Sequence, residues 1–451
     1  MMFNSAIDPS RLFSTDILDY PVQTSRYGLT RYVNLDNAAT TPPLRAVEAA
    51  VHNYLVAYGS VHRGAGTKSK VSTDAYEHAR DVIKDFVNAP ADSYVIFAGN
   101  TTGAMNAAAY FFSFLSGKIA VSQVEHSSSW LPWIKAEGIK LFGARQVSLA
   151  EMSVVDEEIQ RLGGQQVIRY RVNDGLDFDL ASLESILVNN HVKVVVVTGS
   201  SNLTGYCPDM VAVADLAHRH GAYLLVDACQ YLQHHPLDMQ ATGIDFLVAS
   251  GHKFYAPYGG GFLIGPKDFL DEFLPYQIGG GNLPYITREG RFLRFHNQLA
   301  HDPGTPNAVG AIAMATALTV LKELGLENVR AYEQRLSSRL CEGLKAIPGV
   351  RLHVSSEHLS TVFPLSIEGW SAVEMAEALN DGYGIGVRAG SFCVYEGVRK
   401  LLRVTDEAGI IAAVESGDAT AVPALVRASI GLDNLEQDID RFLEALAELT
   451  G

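Results

Sequence analysis

The sequence is poor in cysteine and in basic residues. Four cysteines in 451 residues are too few and too scattered for a disulfide framework or a zinc knuckle, so we expect no metal. Lysine and arginine total 35 against 50 aspartate and glutamate residues, which gives a formal net charge of −15. Such a chain has no general electrostatic attraction to nucleic acids or anionic membranes, and we expect neither as a partner.

Long apolar runs are also missing. No stretch approaches the roughly 18 apolar residues that a membrane-spanning helix needs. The N-terminus has no basic region followed by an apolar stretch, as a signal peptide would. The overall composition, 47% hydrophobic and 19% charged, is ordinary for a globular protein with a large core. These features predict a cytoplasmic enzyme.

From about residue 34, short apolar runs alternate with stretches of helical periodicity. The runs are rich in Val, Ile, Leu and Phe on more than one face, as in strands of a parallel sheet that is covered on both sides. They lie at residues 93–99, 118–123, 192–199, 222–228 and 245–250. This alternation predicts an α/β fold with a large, mainly parallel sheet.

The character of the sequence changes after about residue 310. Long amphipathic helices come first, then short strand candidates around 360–367 and 385–387, and a last helix at 435–449. We therefore predict a large α/β domain at 34–309 and a smaller α+β domain at 310–451. The segment 1–33 lacks a core of its own and is predicted to pack with the smaller domain.

Polar groups follow several of these apolar runs. In open α/β sheets, ligands bind at the carboxyl ends of the strands, so these groups are expected to converge there. Taken singly, each has an ordinary structural explanation, such as a helix cap or a histidine satisfied within the core. Together they match what pyridoxal phosphate requires: a reactive lysine, a carboxylate for the ring nitrogen, an anion site and a flat stacking group. The candidates are, in that order, Lys253, Asp227, Thr101 with Thr102, and His126.

Motifs along nearly the whole chain resemble the class V branch of the fold-type-I pyridoxal-phosphate enzymes, close to the cysteine desulfurase and selenocysteine lyase group. The spacing of the SGHK element from the preceding Asp is the most specific of these signals. The matching stretches include LDNAATTP (35–42), VHRG (61–64), GNTTGAMN (99–106), EHSSSWLPW (125–133), LLVDACQ (224–230), SGHK (250–253), GTPN (304–307), RAGSFC (388–393) and VRASIGL (426–432).

The resemblance implies a role for each matching residue. Lys253 would form the Schiff base with pyridoxal phosphate, Asp227 would face the ring nitrogen, and His126 would stack on the ring. The remaining cofactor contacts would come from Thr101, Thr102, Asn202, Gln230, Ser250, His252 and Thr305. Thr305 would reach the phosphate of a neighbouring subunit, which implies a homodimer with shared active sites. The substrate, a small amino acid, would be contacted by Arg427, His62, Arg63, Asn202 and Asn37.

Cys393 decides between reactions that the cofactor alone leaves open. In the desulfurases that the chain resembles, a cysteine five residues after an arginine takes sulfur from the substrate as a persulfide, and alanine leaves. Arg388 and Cys393 reproduce this spacing, and the arginine would favour a thiolate. We therefore expect a cysteine desulfurase or selenocysteine lyase-like enzyme that passes sulfur to an acceptor protein.

Two departures keep other reactions open. Ser391 and Phe392 stand where the resembled group has two histidines, and the 34 positions from Cys393 to Arg427 exceed the expected spacing. The alternatives are another class V enzyme, such as a carbon–sulfur β-lyase, epimerase or aminotransferase, in which Cys393 only packs. A non-catalytic scaffold is disfavoured by the complete set of cofactor residues.

Overall fold

The structure, a computed structural model, describes residues 7–143, 152–354 and 360–451. The strands are β1 (Pro21–Thr24), β2 (Gly28–Arg31), β3 (Val33–Asn34), β4 (Ser93–Ala98), β5 (Lys118–Ser122), β6 (Val167–Tyr170), β7 (Val192–Thr198), β8 (Tyr223–Asp227), β9 (Phe246–Ser250), β10 (Gly261–Pro266), β11 (Tyr285–Ile286), β12 (Phe292–Leu293), β13 (Val350–Leu352), β14 (Val362–Ile367), β15 (Ile385–Gly386), β16 (Arg388–Gly390) and β17 (Leu425–Ser429).

Helices connect most of these strands. They are α1 (Pro9–Leu12), α2 (Thr15–Leu18), α3 (Arg45–Val56), α4 (Thr67–Phe86), α5 (Thr101–Ser113), α6 (Ser127–Phe142), α7 (Met152–Gly164), α8 (Leu180–Asn189), α9 (Met210–Arg219), α10 (Met239–Thr242), α11 (Lys267–Asp271), α12 (Ala308–Leu324), α13 (Leu326–Ala346), α14 (Ala372–Tyr383), α15 (Tyr395–Leu401), α16 (Glu407–Glu415) and α17 (Glu436–Thr450).

A seven-stranded sheet in the order β4-β10-β9-β8-β7-β5-β6 forms the centre of the fold. Its neighbouring strands are parallel except at β10, which runs antiparallel to both β4 and β9. The predicted fold class, a mainly parallel α/β sheet flanked by helices, is confirmed.

The continuous apolar sequence of β7 follows from burial on both faces of this sheet. Every residue of β7 is buried. Val194 and Val196 pack with Phe112 on one face, whereas Val195 and Val197 belong to the core on the other face. Because successive side chains of a strand point to opposite faces, both sets must be apolar, and the usual alternation disappears.

A second, antiparallel sheet in the order β13-β14-β17-β16 is built from the C-terminal part of the chain. The hairpin β1–β2 packs against α14, since the Ser25 N–H donates to the Asp381 carbonyl at 2.8 Å, and β3 pairs with β15. The division into domains at 33/34 and 309/310 stays a prediction.

Strand β17 joins this second sheet to the turn at 35–38. The Ser429 N–H donates to the Leu35 carbonyl at 2.7 Å, and the Ser429 hydroxyl accepts from the Ala38 N–H at 2.9 Å. These bonds place Arg427, two residues earlier in β17, beside the turn at 35–38.

Within the described residues, no single helix combines the length and the apolar composition needed to cross a membrane. In the described parts of the chain, only α12 and α13 taken together meet that test, and they are bent by 81° where they join.

A buried ion pair links α4 to the segment that precedes α12. Arg80, 2% exposed, contacts the carboxylate of Asp302, 4% exposed, and donates to the Val95 carbonyl at 2.8 Å. The Tyr76 hydroxyl donates to the same carboxylate at 3.0 Å. Removing one partner of such a pair leaves an uncompensated buried charge.

We predict that Asp302→Ala lowers the free energy of unfolding by about 3–5 kcal/mol, measured by urea denaturation. The matched control is Asp85→Ala, which breaks the exposed pair of Asp85 with Lys322 between α4 and α12. That variant is expected to lose less than about 1 kcal/mol. Equal losses in the two variants would contradict a special role for the buried pair.

Candidate active site

A cavity of about 210 Å³ opens where the carboxyl ends of the parallel strands meet. Because the strands are parallel, the polar residues that follow them collect at this one edge. The lining residues are Asn100, Thr101, Thr102, His126, Ser128, Thr198, Ser200, Asn202, Asp227, Cys229, Gln230, His252 and Lys253.

One end of the cavity is the N-terminus of α5. The Asn100 side chain caps this helix by accepting from the Gly103 N–H at 2.9 Å. The Thr102 hydroxyl donates to the Ser128 hydroxyl at 2.8 Å, and the Thr101 hydroxyl lies 2.6 Å from the Cys229 sulfur. A helix N-terminus with adjacent hydroxyl groups can bind a phosphate.

Lys253 lies in a short turn, Gly251–Lys253, directly after β9. Its ammonium group donates to the Ala38 carbonyl at 2.5 Å. Burial is the main reason that the pKa of Lys253 falls to about 8. Near neutral pH a useful share of this amine is therefore unprotonated, as a nucleophilic lysine requires.

Asp227 ends β8 and is 5% exposed. Its carboxylate accepts from the Ser129 hydroxyl at 2.6 Å and from the Cys229 N–H at 3.0 Å. Gln230 donates to the Ala38 carbonyl at 2.6 Å, the same oxygen that Lys253 contacts. A buried carboxylate in this position can hold a proton on a heterocyclic nitrogen.

His126 precedes α6 and caps it. Its Nδ1 accepts from the Ser128 N–H at 3.1 Å, so that nitrogen carries no proton in this arrangement. Burial is the largest influence on the pKa of His126 and lowers it. The side chain is therefore a neutral, flat ring on the wall of the cavity.

Two further predicted cofactor residues differ in their placement. His252 lines the cavity, contacts the Thr40 hydroxyl at 3.3 Å, and has a pKa lowered to about 4, mainly by burial. Ser250 is buried, and its hydroxyl donates to the Gly260 carbonyl at 3.3 Å. Ser250 is not among the residues that line the cavity, and its predicted phosphate contact stays a prediction.

Arg427 lies at the junction of the two sheets and is 2% exposed. Its guanidinium donates to the Asn202 carbonyl at 2.9 Å and to Asp36 at 3.3 Å, while Nε has no hydrogen-bond partner among the described residues. Burial lowers the pKa of Arg427 to about 10, which leaves the group charged, and Asp36 opposes the shift. A buried cation with a free donor can bind the carboxylate of a ligand.

Cys393 belongs to a loop, residues 391–394, that we call the Cys393 loop. The cysteine is exposed, and its carbonyl accepts from both the N–H and the hydroxyl of Ser127 at 2.9 Å. The Phe392 carbonyl accepts from the Asn202 side chain at 2.8 Å, and the Phe392 ring lies 4.7 Å from the Arg427 guanidinium. The loop is thus bonded to neighbours of His126 and Arg427.

The structure places His62 and Arg63 outside the lining of this cavity. His62 contacts Glu77 at 2.6 Å, and Arg63 donates to backbone carbonyls, including that of Asp302 at 3.4 Å. Metal-ligating atoms of His62, Glu77 and Asp302 lie within 4.8 Å of one another, but Asp302 is already paired with Arg80. The predicted role of His62 and Arg63 at the substrate entrance stays a prediction.

Asn37 and Thr305 also lie apart from the cavity lining. Asn37 is 3% exposed and donates to the Asn434 side chain at 3.1 Å, which is a structural bond between the turn at 35–38 and the C-terminal part. Thr305 is exposed, on the segment before α12. Their predicted contacts, with substrate for Asn37 and with the phosphate of a neighbouring subunit for Thr305, stay predictions.

Several residues of the site were not singled out from the sequence. Asp36 contacts Arg427, Ser129 contacts Asp227, and Cys229 lines the cavity. Burial raises the pKa of Cys229 well above its usual range. The position of Cys229 between Asp227 and Gln230 was the available signal, since a residue flanked by two cavity residues stands close to the cavity itself.

The residues present fit pyridoxal phosphate. The cavity combines an anion-binding helix end, a lysine with a lowered pKa, a buried carboxylate and a neutral flat ring, as this group requires. Arg427 adds a partly unsatisfied cation nearby.

Comparison with known sequences identifies the family of the chain. The family Aminotransferase class-V matches residues 33–149 and 150–442. The chain belongs to the class-V aminotransferase family. The resemblance to this family is confirmed, and the family's members depend on pyridoxal phosphate.

Individual class-V relatives carry desulfurase names. A "Probable cysteine desulfurase" of Synechocystis is 32% identical over 449 residues, covering 98% of this chain and 96% of the relative. A "Cysteine desulfurase" of Klebsiella pneumoniae is 29% identical over 436 residues, with 96% of both chains covered. A "Probable cysteine desulfurase" of Mycolicibacterium paratuberculosis is 29% identical, and this chain spans only 57% of its length.

Solved class-V structures show the same fold. The apo structure of a cysteine desulfurase from Thermococcus onnurineus superposes with a TM-score of 0.77 at 25% identity, covering 93% of this chain and 94% of that one. A cysteine desulfurase from Escherichia coli also gives 0.77 at 24% identity, covering 99% and 100%.

Glu125, next to His126, gives a testable pH dependence. It is 2% exposed, accepts from the Ser122 hydroxyl at 2.7 Å, and burial raises its pKa from 4.5 to about 8. Because the pKa of Glu125 is higher in the folded protein than in the unfolded chain, protonation of Glu125 stabilises the folded state. Its contribution to stability is full below pH 4.5 and is lost as the pH rises through about 8.

We predict that Glu125→Gln removes this loss, because the amide does not ionise. Relative to the unmodified apoprotein, the variant should gain stability as the pH rises from about 5 to 9, measured as urea midpoints. Glu184→Gln, on the exposed side of α8, should follow the unmodified profile. Parallel profiles for all three proteins would show that Glu125 does not titrate as described.

Proposed function

We propose that this class-V enzyme is a pyridoxal-phosphate-dependent cysteine desulfurase or selenocysteine lyase-like enzyme. It would remove sulfur from L-cysteine, or selenium from L-selenocysteine, giving alanine and a persulfide, or its selenium counterpart, on Cys393. The observation that carries this proposal is the Cys393 loop, which presents an exposed cysteine and is bonded to Ser127 and Asn202 beside the cofactor cavity.

The cofactor would be held by residues already in place. Lys253 would attach it, Asp227 would face its ring nitrogen, and His126 would cover one face of the ring. The N-terminus of α5, with Thr101 and Thr102, would bind the phosphate. When bound, pyridoxal phosphate supplies an electron sink for the α carbon of the substrate.

The chain's own residues would perform the remaining steps. Arg427 binds the substrate carboxylate and thereby orients the amino acid, while the Lys253 amine, with its pKa near 8, moves the proton at the α carbon. The Cys393 thiolate attacks the substrate sulfur. A sulfur–sulfur bond forms, the substrate's carbon–sulfur bond breaks, its electron pair stays with carbon, and protonation there yields alanine.

The proposal also includes the oligomeric state, the protein partner and the cellular location that were predicted from the sequence. We include a homodimer with shared active sites, in which the exposed Thr305 faces the neighbouring subunit, and an acceptor protein that takes sulfur from Cys393. The location proposed is the cytoplasm.

A second candidate function rests on one observation. Cys393 is exposed and is not among the residues that line the cavity around Lys253. A carbon–sulfur β-lyase, epimerase or aminotransferase would use the same cavity without this thiol. The next experiment separates the two candidates.

We predict that the cofactor-loaded enzyme converts L-cysteine to alanine and sulfide in the presence of a reductant, and that Cys393→Ala lowers this rate by about 100-fold or more. The reason is that the acceptor for the substrate sulfur is lost, while the cofactor cavity is unchanged. Alanine and sulfide would be quantified together. Cys207→Ser, a change at a half-buried cysteine, serves as the control.

Pyruvate in place of alanine, or an undiminished rate in Cys393→Ala, would contradict the desulfurase proposal and would indicate a carbon–sulfur lyase. An aminotransferase would in addition require a keto-acid acceptor.

We predict that Arg427→Lys raises the KM for L-cysteine by about tenfold or more, because a lysine cannot offer the two-pronged donor set of a guanidinium to a carboxylate. The control is Arg351→Lys, an exposed position on β13 of the same sheet. Steady-state kinetics would measure both variants. An unchanged KM in Arg427→Lys would contradict the assignment of the carboxylate site.

A further inference from the structure

Helix α15 follows the Cys393 loop directly and is bound to the large sheet by two polar contacts. Glu396 on α15 lies 2.5 Å from Arg169, measured between Oε2 and Nη2. One helical turn later, the Lys400 ammonium donates to the Val172 carbonyl at 2.5 Å. Arg169 belongs to β6, the edge strand of the seven-stranded sheet, and Val172 lies two residues after it. The two contacts therefore join α15 to this edge strand and to the segment that follows it.

Apolar packing supports the same attachment. Val394 and Val398 share a buried cluster with Val172 and Leu203 of the large sheet's loops. At Gly397 an added Cβ would lie 2.8 Å from the Leu203 side chain, so the helix backbone approaches that residue closely. Helix α15 therefore packs closely against the loops of the large sheet that contain Val172 and Leu203.

Arg169 also contacts the segment around His126. Its guanidinium donates to the Gln123 carbonyl at 2.8 Å and lies 4.9 Å from the Trp130 ring. Gln123 stands three residues before His126, and Trp130 lies in the first turns of α6, which His126 caps. A single cation thus contacts both the segment that carries the stacking histidine and the helix that follows the cysteine.

The Cys393 loop needs such support. Phe392 and Cys393 have φ angles of 53° and 60°, in the left-handed region that non-glycine residues seldom adopt. Two consecutive residues of this kind persist only when their surroundings hold them. The carbonyl contacts from Ser127 and Asn202 supply one part of that support, and α15 supplies the other.

Helix α16, which comes next in the chain, is a natural contrast. None of the nine residues of α16 is buried. Glu407 on α16 pairs with Arg399 of α15, so this ion pair lies within the inserted segment and does not reach the sheet. Of the two ion pairs, only that of Arg169 with Glu396 reaches the seven-stranded sheet.

We propose that Arg169 and Glu396 are positioning residues whose ion pair fixes the Cys393 loop relative to His126, and so fixes where the thiol stands over the substrate sulfur. This inference rests on the proposed function. It predicts that the pair affects the sulfur-transfer step and leaves substrate binding through Arg427 intact.

The first test is hydrogen exchange of the apoprotein, which requires neither cofactor nor turnover. Glu396→Ala should speed exchange of the amides of Ser127, Val394 and Val398 by about threefold or more, since these donate to the loop or its helix. Glu407→Ala, which removes a carboxylate from the same inserted segment, should leave those amides unchanged. Equal exchange in the two variants would overturn the proposal.

The second test is kinetic and uses the cofactor-loaded enzyme with L-cysteine. Glu396→Ala should lower kcat by about threefold to tenfold while KM changes less than about twofold, and Glu396→Gln, which keeps a hydrogen bond to Arg169, should recover part of the loss. An unchanged kcat, or a KM that rises as much as kcat falls, would overturn the positioning role. If Glu396→Ala does not fold, Glu396→Gln is compared with Glu407→Gln, and only Glu396→Gln is expected to lower kcat at an unchanged KM, by a smaller factor because one hydrogen bond to Arg169 remains.

The two proposals fail separately. If Cys393→Ala keeps full activity, the desulfurase assignment fails, whereas the exchange experiment still reports whether the ion pair holds the loop. If exchange is insensitive to Glu396→Ala while Cys393→Ala is inactive, the desulfurase assignment stands and the positioning role is wrong.

Discussion

The turn at 35–38 is the point on which the geometry of the site depends. Its Leu35 and Ala38 backbone groups bond to Ser429 in β17, and the Ala38 carbonyl also accepts from Lys253 and Gln230. One turn therefore fixes the C-terminal sheet and the reactive lysine relative to each other. Asp36 in the same turn contacts Arg427, so the proposed substrate clamp is set by the same few backbone bonds.

Much of the fold and of the cavity could be predicted from the sequence because each depends on local patterns. The all-apolar run of β7 indicates a strand covered on both faces, and the parallel order then brings the residues after each strand to one edge. Asp227 ends one of the parallel strands, and His126 and Lys253 follow two others, which explains why their convergence could be predicted.

The remaining features depend on contacts between distant parts of the chain, which no local pattern encodes. Asp36 and Arg427 are 391 positions apart, and their pairing follows from the junction of two sheets. Ser129 looks like an ordinary helix residue until α6 brings it to Asp227. Likewise, the long segment after Cys393 was recognisable as an insertion, but its division into a packed α15 and an exposed α16 follows from tertiary contacts such as that of Arg169 with Glu396.

The reversed direction of β10 has a further consequence for Lys253. Ser250 at the end of β9 pairs with Gly261 at the start of β10, and the Gly251 N–H donates to the Gly260 carbonyl at 2.9 Å. The lysine therefore lies in a short loop whose two ends are closed by the sheet itself. The conformational entropy of ordering that loop is lost when the protein folds, so a ligand that reacts with the amine meets a preorganised group and does not have to order it on binding.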